Sequence, residues 1–219
     1  MERESMSGSA ATREIEIGDH RLGGFLARPH DASGLVIFAH GSGSSRFSPR
    51  NTFVAETARQ RGFATLLFDL LTEPEARTRR NVFNIPLLGR RVAEAVAWAK
   101  DDPETRDLPV GLFGASTGAA AALVAAASMP ETVRAVVSRG GRPDLAGKAL
   151  FKTQAPTLMI VGGRDYEVIA LHQEARAMMT CPGKIAVVPG ATHFFEETGA
   201  LEQVVDLATA WFSHHLGQA

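Results

Sequence analysis

Short apolar runs along the chain alternate with longer stretches in which apolar residues recur every three or four positions. Thr12–Ile17 and Leu22–Ala27 are β-type runs on either side of a polar turn at Asp19 and His20, which predicts an antiparallel hairpin at a sheet edge. Leu35–Ala39 (LVIFA) is unbroken apolar sequence, as expected of a strand buried on both faces of a parallel sheet. Mostly apolar runs follow at 63–68, 110–113, 133–137, 157–161 and 185–188, each of ordinary strand length.

Helical patterns fill the gaps. Ser48 followed by Pro49 reads as an N-cap with proline in the first turn, and Gly62 as the stop. Leu88, Val92, Val96 and Ala99 share one helical face with Trp98 beside it. Residues 116–128 are alanine-rich and end before Pro130. Residues 168–179 form another candidate, and Leu201, Val204, Val205, Ala208, Trp211 and Phe212 make the stripe of a last helix. Strand–helix alternation of this kind predicts a doubly wound α/β fold: a mostly parallel sheet of about eight strands, an antiparallel N-terminal edge hairpin, and helices on both faces. Residues 71–86 stand outside the pattern. They carry Glu73, Glu75, Arg77, Arg79 and Arg80 and read as a long loop, either a functional lid or a solvated surface segment.

The chain has 219 residues, 45% of them hydrophobic and 21% charged, which suits one globular domain over 12–219 with no large cap; residues 1–11 read as a disordered tail. Lys+Arg number 23 against 24 for Asp+Glu, so there is no basic excess to suggest a nucleic-acid partner. No run approaches the length of a membrane span, and the N-terminus lacks the apolar stretch of a signal peptide, so the expectation is a cytoplasmic protein without a membrane partner. Cys181 is the single cysteine, which excludes an intrachain disulfide and any zinc site built on two thiolates. The oligomeric state leaves no mark on the sequence.

Ligands of doubly wound sheets bind at the carboxyl ends of the strands, so the residues after each strand carry the chemistry. The run at 110–113 leads into Gly114-Ala115-Ser116-Thr117-Gly118 and then a helix, which is G-x-S-x-G in its strand–turn–helix setting. A serine on so sharp a turn leaves no room for side chains two residues before and after it. Ser116 is thus the candidate nucleophile; a hydroxyl needs a base to act at neutral pH. Of seven histidines, His20, His30, His172, His214 and His215 read as surface or helix-face residues and His40 as a brace for its loop. His193 lies in Pro189-Gly190-Ala191-Thr192-His193, at the carboxyl end of the last strand, and is the candidate base. The base needs an orienting carboxylate. Asp165, in Gly162-Gly163-Arg164-Asp165, is preferred to Asp144 because it directly follows a strand; its alternative reading is a helix N-cap. The backbone N–H groups of Thr117 and of Ser42, in His40-Gly41-Ser42-Gly43-Ser44-Ser45, are the candidate oxyanion hole. That loop lacks the endings of a nucleotide-binding glycine motif. Arg46, Arg139 and Arg142 follow strands at the same end of the sheet, where a guanidinium could hold a substrate carboxylate.

Taken together, the HGSGSS loop, the GASTG elbow, the GGRD turn and the GATHFF loop resemble the α/β-hydrolase superfamily, in its dienelactone-hydrolase-like branch, over residues 13 to 217. The resemblance implies the order Ser116, Asp165, His193. One departure stands out: dienelactone hydrolases carry cysteine at the elbow, and this chain has Ser116, with Cys181 too far along to replace it. Lactone specificity therefore does not carry over. The reading is a serine hydrolase of small-molecule carboxylic esters or lactones, acting through an acyl-enzyme with no cofactor and no metal. An acyltransferase or thioesterase with the same triad, and a non-catalytic binding protein on the same fold, are the alternatives.

Overall fold

In the computed structural model, which describes residues 11–217, eight strands form one sheet in the order β1-β2-β4-β3-β5-β6-β7-β8. The strands are β1 (Thr12–Ile17), β2 (Leu22–Ala27), β3 (Leu35–Ala39), β4 (Ala64–Phe68), β5 (Val110–Ala115), β6 (Val133–Arg139), β7 (Thr157–Gly162) and β8 (Gly183–Val188). β1 and β2 pair antiparallel, β2 pairs antiparallel with β4, and every remaining pair is parallel. The N-terminal tail expected at 1–11 falls almost wholly outside the described residues.

The major helices are α1 (Pro49–Gln60), α4 (Ile85–Asp101), α5 (Thr117–Ser128), α7 (Tyr166–Met178) and α8 (Ala200–Leu216), with a single turn, α6 (Ala149–Lys152), ahead of β7. Two hydrophobic cores form, one on each face of the sheet. Val54, Ala55 and Ala58 of α1 join Val204, Val205, Ala208 and Phe212 of α8 over Val36, Phe38, Phe113 and Val137. On the other face α4 and the alanines of α5 cover Ile37, Leu66, Leu112 and Val136. Strands β3 and β5 alternate their side chains between both cores, which is why they read as unbroken apolar runs. Alanine predominates in α5 because the helix is buried along most of its length; α4 packs so close that Gly89 has no room for a side chain beside Val124.

After β3 the chain turns one way to form β4, then returns to place β5 on the other side. The strand order reverses there, so the loops leaving β3 and β5 diverge and leave a crevice at their carboxyl ends. The HGSGSS loop and the GASTG elbow border it.

Two expectations need correction. Residues 71–86 are not an irregular loop: they contain α2 (Glu73–Ala76) and α3 (Arg79–Val82) before the start of α4. Thr72 and Glu75 form a reciprocal capping box, Asn81 donates to the Glu75 carbonyl at 3.1 Å, and Arg91 of α4 bonds the Glu75 carboxylate at 3.0 Å. Partial desolvation pushes the Glu75 carboxyl up, but bonds from Thr72 and the Arg91 charge outweigh it and hold it below the usual range. In addition, β5 and β6 run two residues past their apolar stretches, so Arg139 is the last residue of β6 and not part of a loop.

Candidate active site

Ser116 sits between β5 and α5 with φ 50° and ψ −122°, a strained conformation for a residue with a side chain. The surroundings impose it. A Cβ on Gly114 would lie 2.6 Å from the Gly118 carbonyl oxygen, and one on Gly118 would lie 2.5 Å from the His40 carbonyl oxygen. Both glycines of the elbow are therefore sterically required, the second because α5 starts hard against the β3 loop. The N-terminal turn of α5 directs its free N–H groups and positive dipole end to the serine.

His193 lies in the loop after β8, and its Nδ1 is 2.7 Å from Asp165 Oδ2. Asp165 stands at the N-cap position of α7, yet its side chain makes no capping bond and is turned to the imidazole instead. The two loops meet closely: a Cβ on Gly162 would come within 2.5 Å of the Ala191 carbonyl oxygen. Asp144, the competing acid, is engaged by Arg142 through two bonds of 2.9 and 2.7 Å. Ser116 and His193 line one cavity, and among the described residues no hydrogen bond joins them.

The β3 loop is braced as its sequence suggests. The Leu70 N–H donates to His40 Nε2 at 3.1 Å, so Nδ1 carries the proton and donates to the Gly41 carbonyl at 2.9 Å. Burial lowers the His40 pKa, against the raising influence of that bond and of Asp69, and favours the neutral ring. The Ser42 N–H, the expected oxyanion donor, is not free: it donates to Thr117 Oγ1 at 2.9 Å. Thr117 thus holds this amide with its side chain, a role its position in the motif did not suggest.

Two cavities flank this loop and share Gly41, Ser42 and Ser44. One, of about 270 Å³, contains Ser116 and His193 together with Ser48, Arg50, Asn51 and Arg139, and no Asp or Glu lines it. The other, of about 340 Å³, is walled by Leu70, Leu71, Leu88, Ala76 and Val82, so α2 and α3 form its far side.

The three candidate arginines part company here. Arg46 pairs with Asp69 and lies against the rings of Phe25 and Phe47, and Arg142 holds Asp144; neither lines the Ser116 cavity. Arg139 does line it. It is 6% exposed and has no carboxylate partner: Nη2 reaches Asn51 Oδ1 at 3.5 Å, Nε is unpaired, and the guanidinium lies 6.0 Å from the Phe195 ring centre. Desolvation, with the neighbouring charge of Arg50, lowers its pKa to about 10, which still leaves it a cation at neutral pH. Arg50, Asn51 and Ser48 were not anticipated, although the Ser-Pro signal located the N-terminus of α1 that carries them. His172, read as a surface or helix-face residue, is fully buried, with Nδ1 2.7 Å from the Val168 carbonyl. Cys181 is buried and its thiol is pushed up by desolvation, which leaves a structural residue. Among the described residues no cluster of three or more His, Cys, Asp or Glu is placed to hold a metal ion, and no helix is long and apolar enough to cross a membrane.

An eight-stranded sheet with this strand order, a strained serine elbow, and an acid and a histidine on the following loops define an α/β-hydrolase fold. Residues 22–214 match the dienelactone hydrolase family, and the chain belongs to that family. A dienelactone hydrolase structure from Anabaena variabilis is 52% identical, with a TM-score of 0.90 over 94% of this chain and 97% of that one. Est1E from Butyrivibrio proteoclasticus shares the fold at 17% identity, with a TM-score of 0.77 over 94% and 98% of the two chains. Two Mycobacterium tuberculosis proteins, from strains CDC 1551 and H37Rv and provisionally named phosphoribosyl transferases, are each 57% identical over 203 residues, or 93% of this chain. The chain spans 46% of their length.

Proposed function

We propose that this protein is a serine hydrolase that cleaves a small carboxylic ester or lactone through an acyl-enzyme, as one hydrolase domain without a large cap. The observation that carries the reading is the Asp165–His193 contact of 2.7 Å at the cavity that holds Ser116 on its strained elbow. Ser116 Oγ attacks the ester carbonyl carbon while His193 Nε2 takes the hydroxyl proton. Asp165 accepts from Nδ1–H, which keeps Nε2 free for that proton and stabilises the imidazolium that forms. The tetrahedral oxyanion accepts from the N–H groups of Ser42 and Thr117. The carbon–oxygen bond to the alcohol then breaks, His193 returns the proton to the leaving oxygen, and water repeats the sequence on the acyl-enzyme. Of the three arginines, Arg139 is the one suited to an anionic group of the substrate.

The transferase name of the mycobacterial relatives covers proteins about twice as long, and the matched half is the part that corresponds to this chain. A nucleophile and a base at one cavity, with a carboxylate behind the base, favour acyl chemistry here over phosphoribosyl transfer. The test is Ser116→Ala in folded protein, with a fluorophosphonate probe and a panel of esters. The expected result is loss of labelling and a fall in ester turnover on the order of 10⁴-fold or more. An alanine variant that keeps more than a few per cent of activity overturns the assignment.

A further inference from the structure

The site has two cavities of opposite character, and the chemistry decides which part of a substrate each one takes. Once Ser116 has attacked, the tetrahedral carbon carries the oxyanion, the serine oxygen, the leaving oxygen and the acyl chain. The oxyanion faces the Ser42 and Thr117 amides. The leaving oxygen must face His193, because that imidazole returns its proton. His193 lines the polar cavity and not the apolar one. The leaving alcohol therefore extends into the polar cavity, and the acyl chain runs past the shared loop residues toward Leu71, Ala76, Val82 and Leu88.

The polar cavity is built for negative charge. Arg139 is buried at its wall without a carboxylate, and its Nε has no partner. Burying a cation in this state is costly unless an anion arrives to share it. Arg50 brings a second guanidinium, bonded at 2.9 Å to the exposed carboxylate of Glu196 and stacked 4.9 Å over Phe194. Ser48 is the N-cap of the twelve-residue α1 and Asn51 stands in its first turn, where the helix dipole adds positive potential. The apolar cavity has the volume of a small ligand pocket; Leu, Val and Ala form the wall away from the shared loop, and the only charged side chains that line it are the carboxylates Asp69 and Glu73, which disfavour an anionic acyl group.

Resting on the acyl-enzyme reading above, we infer that the substrate is an ester of an apolar acyl group with an anionic alcohol, the anion held by Arg139 and Arg50 and the acyl chain held under α2 and α3. Carboxylate and phosphate share the recognition chemistry, and the experiment separates them.

The experiment compares hexanoyl esters of 4-hydroxybenzoate, of its methyl ester and of 4-hydroxyphenyl phosphate, together with the succinyl monoester of methyl 4-hydroxybenzoate, in which the charge is on the acyl side. The expected result is kcat/KM about 10- to 100-fold higher for an anionic leaving group than for the neutral one, as befits a charged hydrogen bond. This runs against intrinsic reactivity, since the neutral phenol is the better leaving group. Whichever of carboxylate and phosphate gives the higher value names the anion. Arg139→Gln should remove the preference mainly through KM, with Arg139→Lys recovering part of it. Val82→Trp should depress hexanoyl turnover more than that of the acetyl ester of the same alcohol, and an equal fall for both overturns the placement of the acyl chain. Mass spectrometry of acid-quenched enzyme should find hexanoyl, not the aromatic acid, on Ser116. Equal kcat/KM for charged and neutral leaving groups, or faster cleavage of the succinyl ester, overturns this inference and leaves the esterase reading intact. Absence of any acyl adduct on Ser116 across the panel overturns both.

Discussion

Arg91 and Arg139 are buried to nearly the same degree, 3% and 6% exposed, and the fold treats them in opposite ways. At the seam where α4 meets α2, Arg91 is bonded to Glu75 at 3.0 Å and to Glu94 at 3.1 Å. At the wall of the Ser116 cavity, Arg139 has one long contact to a neutral amide and one aromatic face. A paired buried cation ties two elements together, and its charge is already answered by its carboxylates. An unpaired one lowers stability until something negative reaches it. The two acids after β6 and β7 show the same contrast: Asp144 is satisfied by its neighbour Arg142, whereas Asp165 is turned to a histidine 28 residues away.

The sharpest way to break this contrast is at the acids. Asp165→Asn is expected to lower kcat by roughly 10²–10⁴-fold, because the amide favours the wrong imidazole tautomer, and Asp144→Asn by less than about threefold. Steady-state kinetics on both variants check this, and a larger loss at Asp144 reverses the assignment. Next in size is Arg91→Met, which strands two partly exposed carboxylates and should reduce unfolding free energy by roughly 2–3 kcal/mol in urea titrations. Arg139→Met should do the reverse and raise it by about 1 kcal/mol, since the lost cation–π contact only partly offsets relief of the unpaired charge. A destabilised Arg139→Met protein would mean that the guanidinium serves the fold. The smallest effect concerns His40 and His172, whose pKa values burial lowers. For a base held below its unfolded pKa, the unfolded chain takes up the proton first. Their contribution is therefore full above about pH 6.5 and is lost as pH falls from there through the lower folded values. Urea midpoints between pH 7.5 and 5.5 should show the decline, and a His172→Gln variant should show less of it.

Much of the scaffold was legible because burial on both faces writes a strand as an apolar run and burial along one stripe writes a helix as a period. The ends of β5 and β6 were not. Gly114 and Ala115 pair with Ser138 and Arg139, and backbone hydrogen bonding continues where hydrophobicity stops. The two helices at 73–82 escaped notice because each is one turn long, although Thr72 and Glu75 have the spacing of a capping box. At the site, the strand-end positions point to Ser116, Asp165 and His193 as candidates; the structure brings the last two into contact and sets Ser116 and His193 at one cavity. The arginines could not be sorted that way. Arg46 meets a carboxylate 23 residues along the chain and Arg139 meets none, a difference of three-dimensional neighbours that no local pattern records.

The bond from the Ser42 amide to the Thr117 hydroxyl bears on selectivity between ground and transition states. In the proposed reaction this amide changes partner when substrate enters, giving up a neutral hydroxyl oxygen for the substrate's. A ground-state carbonyl, also neutral, gains little from the exchange. The oxyanion that replaces it is charged, and hydrogen bonds to ionised acceptors are about twice as strong. The hydroxyl thus acts as an internal competitor that cancels the donor's attraction for the ester and leaves its attraction for the intermediate. Binding energy is withheld until the bond to Ser116 is forming, where it raises kcat and not merely occupancy.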